Sequence, residues 1–273
     1  VEEKIVIITG ASDGIGAEAA RELTKKGAKV VVVGRSPEKT KAVAVELRAP
    51  YFLADFAKLS DVRKLAADLK QAYPRIDVLL NNAGGIFGTR ELTEDGHEMT
   101  FQVNYLASFL LTNLLMDTLV ASKASIINTS SIASARYGNI DMNDLELEKH
   151  FDVNHAYGNA KLENILFTKE LHRRYSEQGI SSAAVHPGVV ATNFASTTTS
   201  WLRFLYRIPF ARFFLDTVAE GAEPLVWLAL TKPGIEWESG KYYDKHKVGK
   251  LHVQVRDEVL VKRLWEVSNR LVA

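Results

Sequence analysis

The 273-residue sequence predicts a doubly wound α/β fold, a Rossmann-type parallel sheet of about seven strands with helices on both faces. Three observations carry this expectation. Short β-branched runs alternate with longer segments of helical period, the rhythm of repeated βαβ units. The runs are apolar throughout rather than alternating, as in strands buried on both faces. The first run passes through a glycine-rich turn directly into a helix, and right-handed crossovers between parallel strands then place helices on both sides.

The strand candidates are residues 4–9, 29–33, 51–54, 77–80, 125–128 and 181–185, and nearly every gap between them can hold a helix. The lipophilic stretch 106–120 is interrupted by Ser108, Thr112, Asn113 and Asp117, which marks a buried helix rather than a membrane span. The rhythm fails between residues 195 and 215, resumes in a helix over about 216–230, and continues through Gly240-Lys-Tyr-Tyr243 to a C-terminal helix. No repeat, low-complexity tract or long Pro/Gly/Ser linker divides the chain. The expectation is one dinucleotide-binding domain over 1–273, with an insert at about 195–215.

Composition narrows the function. Lys and Arg total 34 against 33 Asp and Glu, so no basic field recruits nucleic acid. The absence of cysteine removes disulfides, thiolate metal sites and thiol nucleophiles. The seven histidines show no metal-ligand spacing, and no metal is expected. The sequence enters an apolar run at once after Val1-Glu-Glu-Lys4, without a signal-peptide pattern, and the expected location is cytoplasmic.

The turn Thr9-Gly-Ala-Ser-Asp-Gly-Ile-Gly16 stands between the first strand and a helical pattern. Gly10, Ser12, Asp13, Gly14, Ile15 and Gly16 would bring free N–H groups at a helix start to a pyrophosphate. The second strand ends in Val33-Gly34-Arg35-Ser36, without the acid that holds a ribose 2′-hydroxyl in NAD sites. Arg35 can instead pair with a 2′-phosphate, which favours NADP(H) while leaving NAD(H) open; the alternative is a solvated loop charge. Asp13 adds a negative charge inside the loop. Asp55-Phe56, after the third strand, are placed for an adenine contact, with a helix N-cap at Asp55 as the alternative.

Tyr157 and Lys161 are four residues apart, on one face of a predicted helix. A phenol ordinarily titrates near pH 10, and a neighbouring ammonium brings it toward acid–base work at neutral pH. On a solvated helix the same spacing would be surface decoration.

With these pieces in order, the sequence resembles the short-chain dehydrogenase/reductase family over essentially its whole length. The resemblance rests on TGASDGIG, Asn81-Asn-Ala-Gly84, Asn104, Ser130-Ser131, YGNAK and Pro187-Gly188 with Thr192. The stretches DGHEMTFQVNYLASFLLTNLL, AYGNAKLENILFTKELHRR, HPGVVATNF and SGKYYDKHK are similar to the retinol-dehydrogenase-like branch, which includes protochlorophyllide reductases and carbonyl reductases. A long gap between Ser131 and Tyr157 carrying Asp141, Asp144, Glu146 and Glu148 also looks like that branch; these carboxylates are expected on a solvated acidic loop. The N-terminal membrane segment usual in animal retinol dehydrogenases is not expected here, and the sequence has no cysteine to match the functional one of protochlorophyllide reductases.

The resemblance implies roles. Tyr157 would be the general acid/base, Lys161 its electrostatic partner and a ribose ligand, and Ser131 a donor to the substrate oxygen. Asn104 would join a proton relay, or be a buried Asn held by backbone. Asn82, Ala83 and Gly84 would let the cofactor pass close, and Pro187, Gly188, Val190 and Thr192 would border its nicotinamide. His155 and His186 are taken as structural.

The implied enzyme is an NADP(H)-dependent oxidoreductase acting on a small hydrophobic alcohol, aldehyde or ketone. The alternatives are a membrane-peripheral retinoid or lipid dehydrogenase and a non-catalytic NADP(H)-binding regulator. Residues 201–215, dense in aromatics and punctuated by Arg203, Arg207 and Arg212, suit a substrate lid, a membrane contact or plain packing. The long helices over 104–119 and 157–174 are candidates for pairing between subunits, as often happens in this family.

Overall fold

The computed structural model describes residues 3–189 and 216–273. Among them, eight strands form one sheet in the order β3-β2-β1-β4-β5-β6-β7-β8. The strands are β1 (Ile5–Thr9), β2 (Lys29–Gly34), β3 (Tyr51–Leu53), β4 (Val78–Asn81), β5 (Ser125–Thr129), β6 (Ser181–His186), β7 (Lys241–Asp244) and β8 (Lys247–Val248). The first seven are parallel, and only the two-residue β8 runs antiparallel, returning beside β7. The strand order reverses between β1 and β4, so the crevice where such sheets bind nucleotides opens at the carboxyl ends of these strands.

Successive strand residues feed two cores. On one face Val6, Ile8, Val30, Val32, Leu80 and Val185 meet α1 (Gly14–Lys25) and α9 (Val218–Leu230). On the other, Ile7, Val31, Leu79, Ile126 and Ala184 meet α3 (Leu59–Ala72), α5 (Ala107–Leu114), α8 (Val153–Tyr175) and α10 (Glu258–Leu271). Helix α2 (Pro37–Leu47) packs beside β2 and β3. The helices start at identifiable caps. Asp13 accepts from Gly14 N at α1, Asp152 from His155 N at α8, and Thr217 with Glu220 forms a reciprocal capping box at α9.

The predicted helix over 106–120 contains an irregularity that its composition did not signal. The short α4 (Met99–Phe101) passes into a π-helical turn at Gln102–Leu106 before α5, and α6 (Met116–Ala121) completes the run. A widened turn breaks the i to i−4 ladder and leaves a carbonyl for other partners. Here Thr100 O accepts from the side chain of Asn104 at 2.9 Å.

The helices expected to pair between subunits also carry contacts within the chain. Trp265 of α10 lies with its ring centroid 5.0 Å from Phe109 of α5 and 5.8 Å from Phe167 of α8. The Arg174 guanidinium sits 4.6 Å over the Trp265 ring, and Tyr105 Oη is 2.8 Å from Ser268 Oγ. The chain's own last helix therefore covers the α5/α8 face around Phe109 and Phe167. Among the described residues no helix is long and apolar enough to cross a membrane.

Candidate active site

The glycine turn joins β1 to α1 as expected, with Gly10, Ser12 and Asp13 in the turn and Gly14, Ile15 and Gly16 in the first helical turn. Asp13 is not a stray charge in this loop. Its Oδ1 caps α1 through Gly14 N at 2.8 Å, and Oδ2 pairs with Lys39 Nζ at 2.7 Å. Lys39, which the sequence reading did not single out, thus balances the carboxylate. The main-chain N–H groups of Ile15 and Gly16 find no acceptor among the described residues. Unpartnered donors at a helix start are what a pyrophosphate requires, so the turn fits the group its sequence suggests.

At the end of β2, a Cβ on Gly34 would lie 2.4 Å from Thr40 Oγ1 and 2.8 Å from Ser12 Cβ, so an acid cannot stand there without displacing them. Arg35 follows, exposed, and forms no ion pair among the described residues. Asp55 does not cap α3, whose N-cap is Lys58. It closes a local turn instead: Oδ1 accepts from Ala57 N at 3.0 Å, while Asp55 N donates to Asp61 Oδ2. Phe56 is buried in the core with α3, so its ring belongs to the packing.

The turn after β4 is held from two sides. Asn82 Nδ2 donates to Thr9 O, and the main-chain N–H groups of Asn82 and Ala83 both donate to Thr9 Oγ1 at 3.0 Å. From the helix side, Asn104 Oδ1 accepts from Gly85 N at 3.1 Å and its Nδ2 donates to Gly85 O at 2.9 Å. A Cβ on Gly84 would come within 2.5 Å of Asn104 Oδ1 and 3.3 Å of Lys161 Nζ, so only glycine permits this approach. The Asn104 side chain latches the turn with two bonds and gives its remaining N–H to Thr100 O. The Asn104 main-chain carbonyl accepts from Asn164 Nδ2 at 3.1 Å. Asn164 was missed from sequence, although its position three residues beyond Lys161 places it on the same helix face.

Helix α8 carries Tyr157 and Lys161. Tyr157 is half-buried, and the Lys161 ammonium lies 5.5 Å from its ring centroid. Lys161 is 2% exposed and donates to Thr129 O at 3.1 Å. Burial lowers its pKa from 10.5 to about 7, and no carboxylate offsets that effect. The ammonium expected from sequence is therefore only partly held near neutral pH. A charged Lys161 would stabilise a phenolate at Tyr157 by Coulomb attraction.

Ser131 is half-buried at the start of α7 (Ala133–Tyr137). Its Oγ accepts from Ala133 N at 3.2 Å, leaving the hydroxyl proton for another acceptor. The neighbouring Ser130 is buried and donates to Lys161 O at 2.7 Å, which ties β5 to α8. Pro187 and Gly188 follow β6 directly, at the carboxyl edge. His186 is buried with Nδ1 unpartnered, and burial lowers its pKa; His155 has its Nε2 3.1 Å from Asn139 O. Val190, Thr192 and the lid or membrane segment expected over 195–215 lie outside the described residues.

The acidic loop expected between Ser131 and Tyr157 is corrected at one residue. Asp141 and Asp144 accept from main-chain N–H groups at exposed turns, but Glu146 is inside. Its carboxylate takes His97 Nδ1 and Glu98 N, each at 2.9 Å. Burial pushes Glu146 up, but the His97 and Glu98 bonds together bring it below the ordinary carboxylate value and raise His97.

A family model for short chain dehydrogenases matches residues 4–203. The chain belongs to the short-chain dehydrogenase family. Two relatives place this dehydrogenase in the retinol-dehydrogenase-like branch. A protein of Streptomyces sp. (strain C5) described as "Putative daunorubicin C-13 ketoreductase DnrU" is 40% identical over 272 residues, which span 97% of this chain and 91% of the relative. Retinol dehydrogenase 13 of Mus musculus is 39% identical over 282 residues, 98% of this chain and 84% of its own. Among solved structures, a dehydrogenase from Shigella flexneri 2a str. 301 in complex with NADP superposes with a TM-score of 0.68 at 25% identity, covering 90% of this chain and 98% of its own. This short-chain dehydrogenase is an oxidoreductase acting on CH–OH groups and their carbonyl counterparts, with a nucleotide-binding Rossmann-type fold.

Proposed function

We propose that the enzyme uses NADP(H) to interconvert a lipophilic alcohol with its aldehyde or ketone, with Tyr157 as the proton donor and acceptor, in a single domain over residues 1–273. The observation that carries this reading is the half-buried Tyr157 set over Lys161, a lysine buried without a carboxylate partner. The N–H groups of Ile15 and Gly16 would hold the pyrophosphate, Arg35 the 2′-phosphate, and Asn82, Ala83, Gly84, Pro187 and Gly188 would border the rest of the cofactor. When bound, the nicotinamide supplies or accepts the hydride. The chain's own residues do the remainder. Ser131 donates a hydrogen bond to the substrate oxygen as charge develops there, Tyr157 Oη gives that oxygen its proton in reduction, and Lys161 restrains the charge left on the phenol. Asn104 acts as a positioning residue, holding the Gly84-Gly85 turn beside Lys161.

Replacement Tyr157→Phe removes the proton and little else. We expect kcat for carbonyl reduction to fall by about 10²–10⁴ with NADPH binding retained, read by NADPH oxidation and by titration of NADPH fluorescence. A variant turning over at the wild-type rate would sink the assignment. Arg35→Ala tests the coenzyme: KM for NADPH should rise at least about tenfold more than KM for NADH, because one charge-assisted bond to a phosphate is lost. Equal effects on both would remove the 2′-phosphate contact.

A further inference from the structure

A recess of about 440 Å³ lies between α7 and the chain that follows β8. Ala135 forms one wall; Lys250, Leu251, His252, Val253 and Arg256 form the other. Its composition is lopsided. Among the described residues two cations, one imidazole and three apolar side chains line it, with no carboxylate. Among the described residues neither Lys250 nor Arg256 is engaged in an ion pair.

The wall is built rather than loose. Gln254 accepts from Ile140 N at 2.9 Å and donates to Ile140 O at 2.8 Å, as a strand neighbour would. Val255 is buried in the core, and its carbonyl accepts from Lys169 Nζ at 2.7 Å. With residues 254 and 255 fixed inward, Val253 and Arg256 of the same short 3₁₀ turn are exposed. His252 Nδ1 accepts from Gln254 N, which places the proton of the neutral ring on Nε2 as a donor. Burial keeps that ring neutral by lowering its pKa.

The recess lies one turn from Ser131 along the chain. Ser131 and Ala135 are four residues apart across one helical turn, closed by Ser134 N to Ser131 O and Ala135 N to Ile132 O, and so share a face. A helical turn advances about 5.4 Å, which sets the spacing along the chain between Ser131 and the Ala135 wall. Ile132 at 50% exposure and Leu251 at 38% provide apolar surface at the recess and beside Ser131.

We propose that this recess is the distal end of the substrate site and takes a carboxylate carried by the lipophilic substrate, held by Lys250 and Arg256 with the chain of the substrate against Leu251 and Val253. The proposal names the substrate class for the reading given above and rests on that reading for the position of the reacting oxygen. A polar end group is fixed by charge and the body by apolar contact, the usual division of labour in a small-molecule site.

The test uses an ω-oxo fatty acid and its methyl ester, which differ only in the charge at the far end. Wild-type enzyme with NADPH should prefer the acid in kcat/KM, and Lys250→Ala/Arg256→Ala should lower the acid-to-ester ratio about tenfold. The charge-preserving pair Lys250→Arg/Arg256→Lys should retain the ratio, which separates charge from folding. Calorimetric titration of dodecanoate at saturating NADPH gives a readout without turnover, and its Kd should rise about tenfold in the alanine pair. An unchanged ratio and unchanged dodecanoate affinity, or no dodecanoate binding to wild type, overturns the proposal. Dodecanoate binding that depends on the two cations, with neither carbonyl turned over, leaves the recess standing and removes the assigned reaction.

Discussion

Two buried groups on α8 respond to burial in opposite senses. Lys161 is drawn down to about 7, whereas Glu163, wholly buried with neither carboxyl oxygen hydrogen-bonded, is pushed well above its ordinary value of 4.5 by burial and by the nearby Glu98 and Glu146. The folded chain therefore holds the Glu163 proton more tightly than the unfolded chain. Its contribution to stability is complete below about pH 4.5 and is lost as pH rises toward the folded pKa. Lys161 works the other way. Its contribution is complete above 10.5 and is lost as pH falls to about 7. Glu163→Leu removes one side of this opposition and leaves no unmet acceptor. The variant should be more stable than wild type at pH 8, by a margin that shrinks toward pH 4.5, measured by urea unfolding across that range; a pH-independent difference would contradict the buried proton. None of this was legible in the sequence. The spacing of Tyr157 and Lys161 gave a shared helix face, but the degree of burial that sets a lysine's charge comes from elements far along the chain.

At the scale of elements, the strands were readable because a run buried on both faces has a composition no loop shares. All six early runs became β1 to β6, and Gly240-Lys-Tyr-Tyr243 introduced β7. Two features escaped. The π turn at Gln102–Leu106 has no compositional mark; its Asn104 side chain takes Gly85, distant in sequence, and Thr100, one turn back. Glu146 resembled its solvated neighbours because what distinguishes it is His97, distant in sequence. The Asn104 latch has a measurable consequence. Asn104→Ala leaves the Gly85 N–H and C=O without their partner, a loss of roughly 1–3 kcal/mol. It should lower stability by that amount in urea and weaken NADPH binding, because the turn it holds borders the proposed cofactor path. Unaltered NADPH affinity would reduce Asn104 to a purely structural role.

For the whole molecule, the C-terminal helix decides which surfaces remain outside. Trp265 joins Phe109, Phe167 and Tyr175 in one aromatic group, so the last helix is bonded into the main core rather than appended to it. Trp265→Ala should cost about 3–5 kcal/mol, the usual loss for a large buried aromatic ring. It should also uncover the α5/α8 face, which sedimentation velocity would detect as self-association. A variant that sediments as wild type does and loses less than about 1 kcal/mol would show that the helix packs loosely.

The junction that follows β6 bears on how this fold tolerates change. Val189 O accepts from Asp216 N at 2.9 Å, Val189 N donates to Asp216 Oδ2 at 3.0 Å, and Lys245 Nζ grips Asp216 Oδ1 at 2.6 Å. Two points widely separated along the chain are thereby stitched side by side on the frame. Closure entropy depends only logarithmically on length, about 0.6 kcal/mol for each doubling. Whatever is spliced between these two stitches, short or long, meets nearly the same thermodynamic toll at its ends. The frame thus acts as a socket in which the segment between the stitches can be exchanged, lengthened or rewritten while Tyr157 and Lys161 on α8 keep their places.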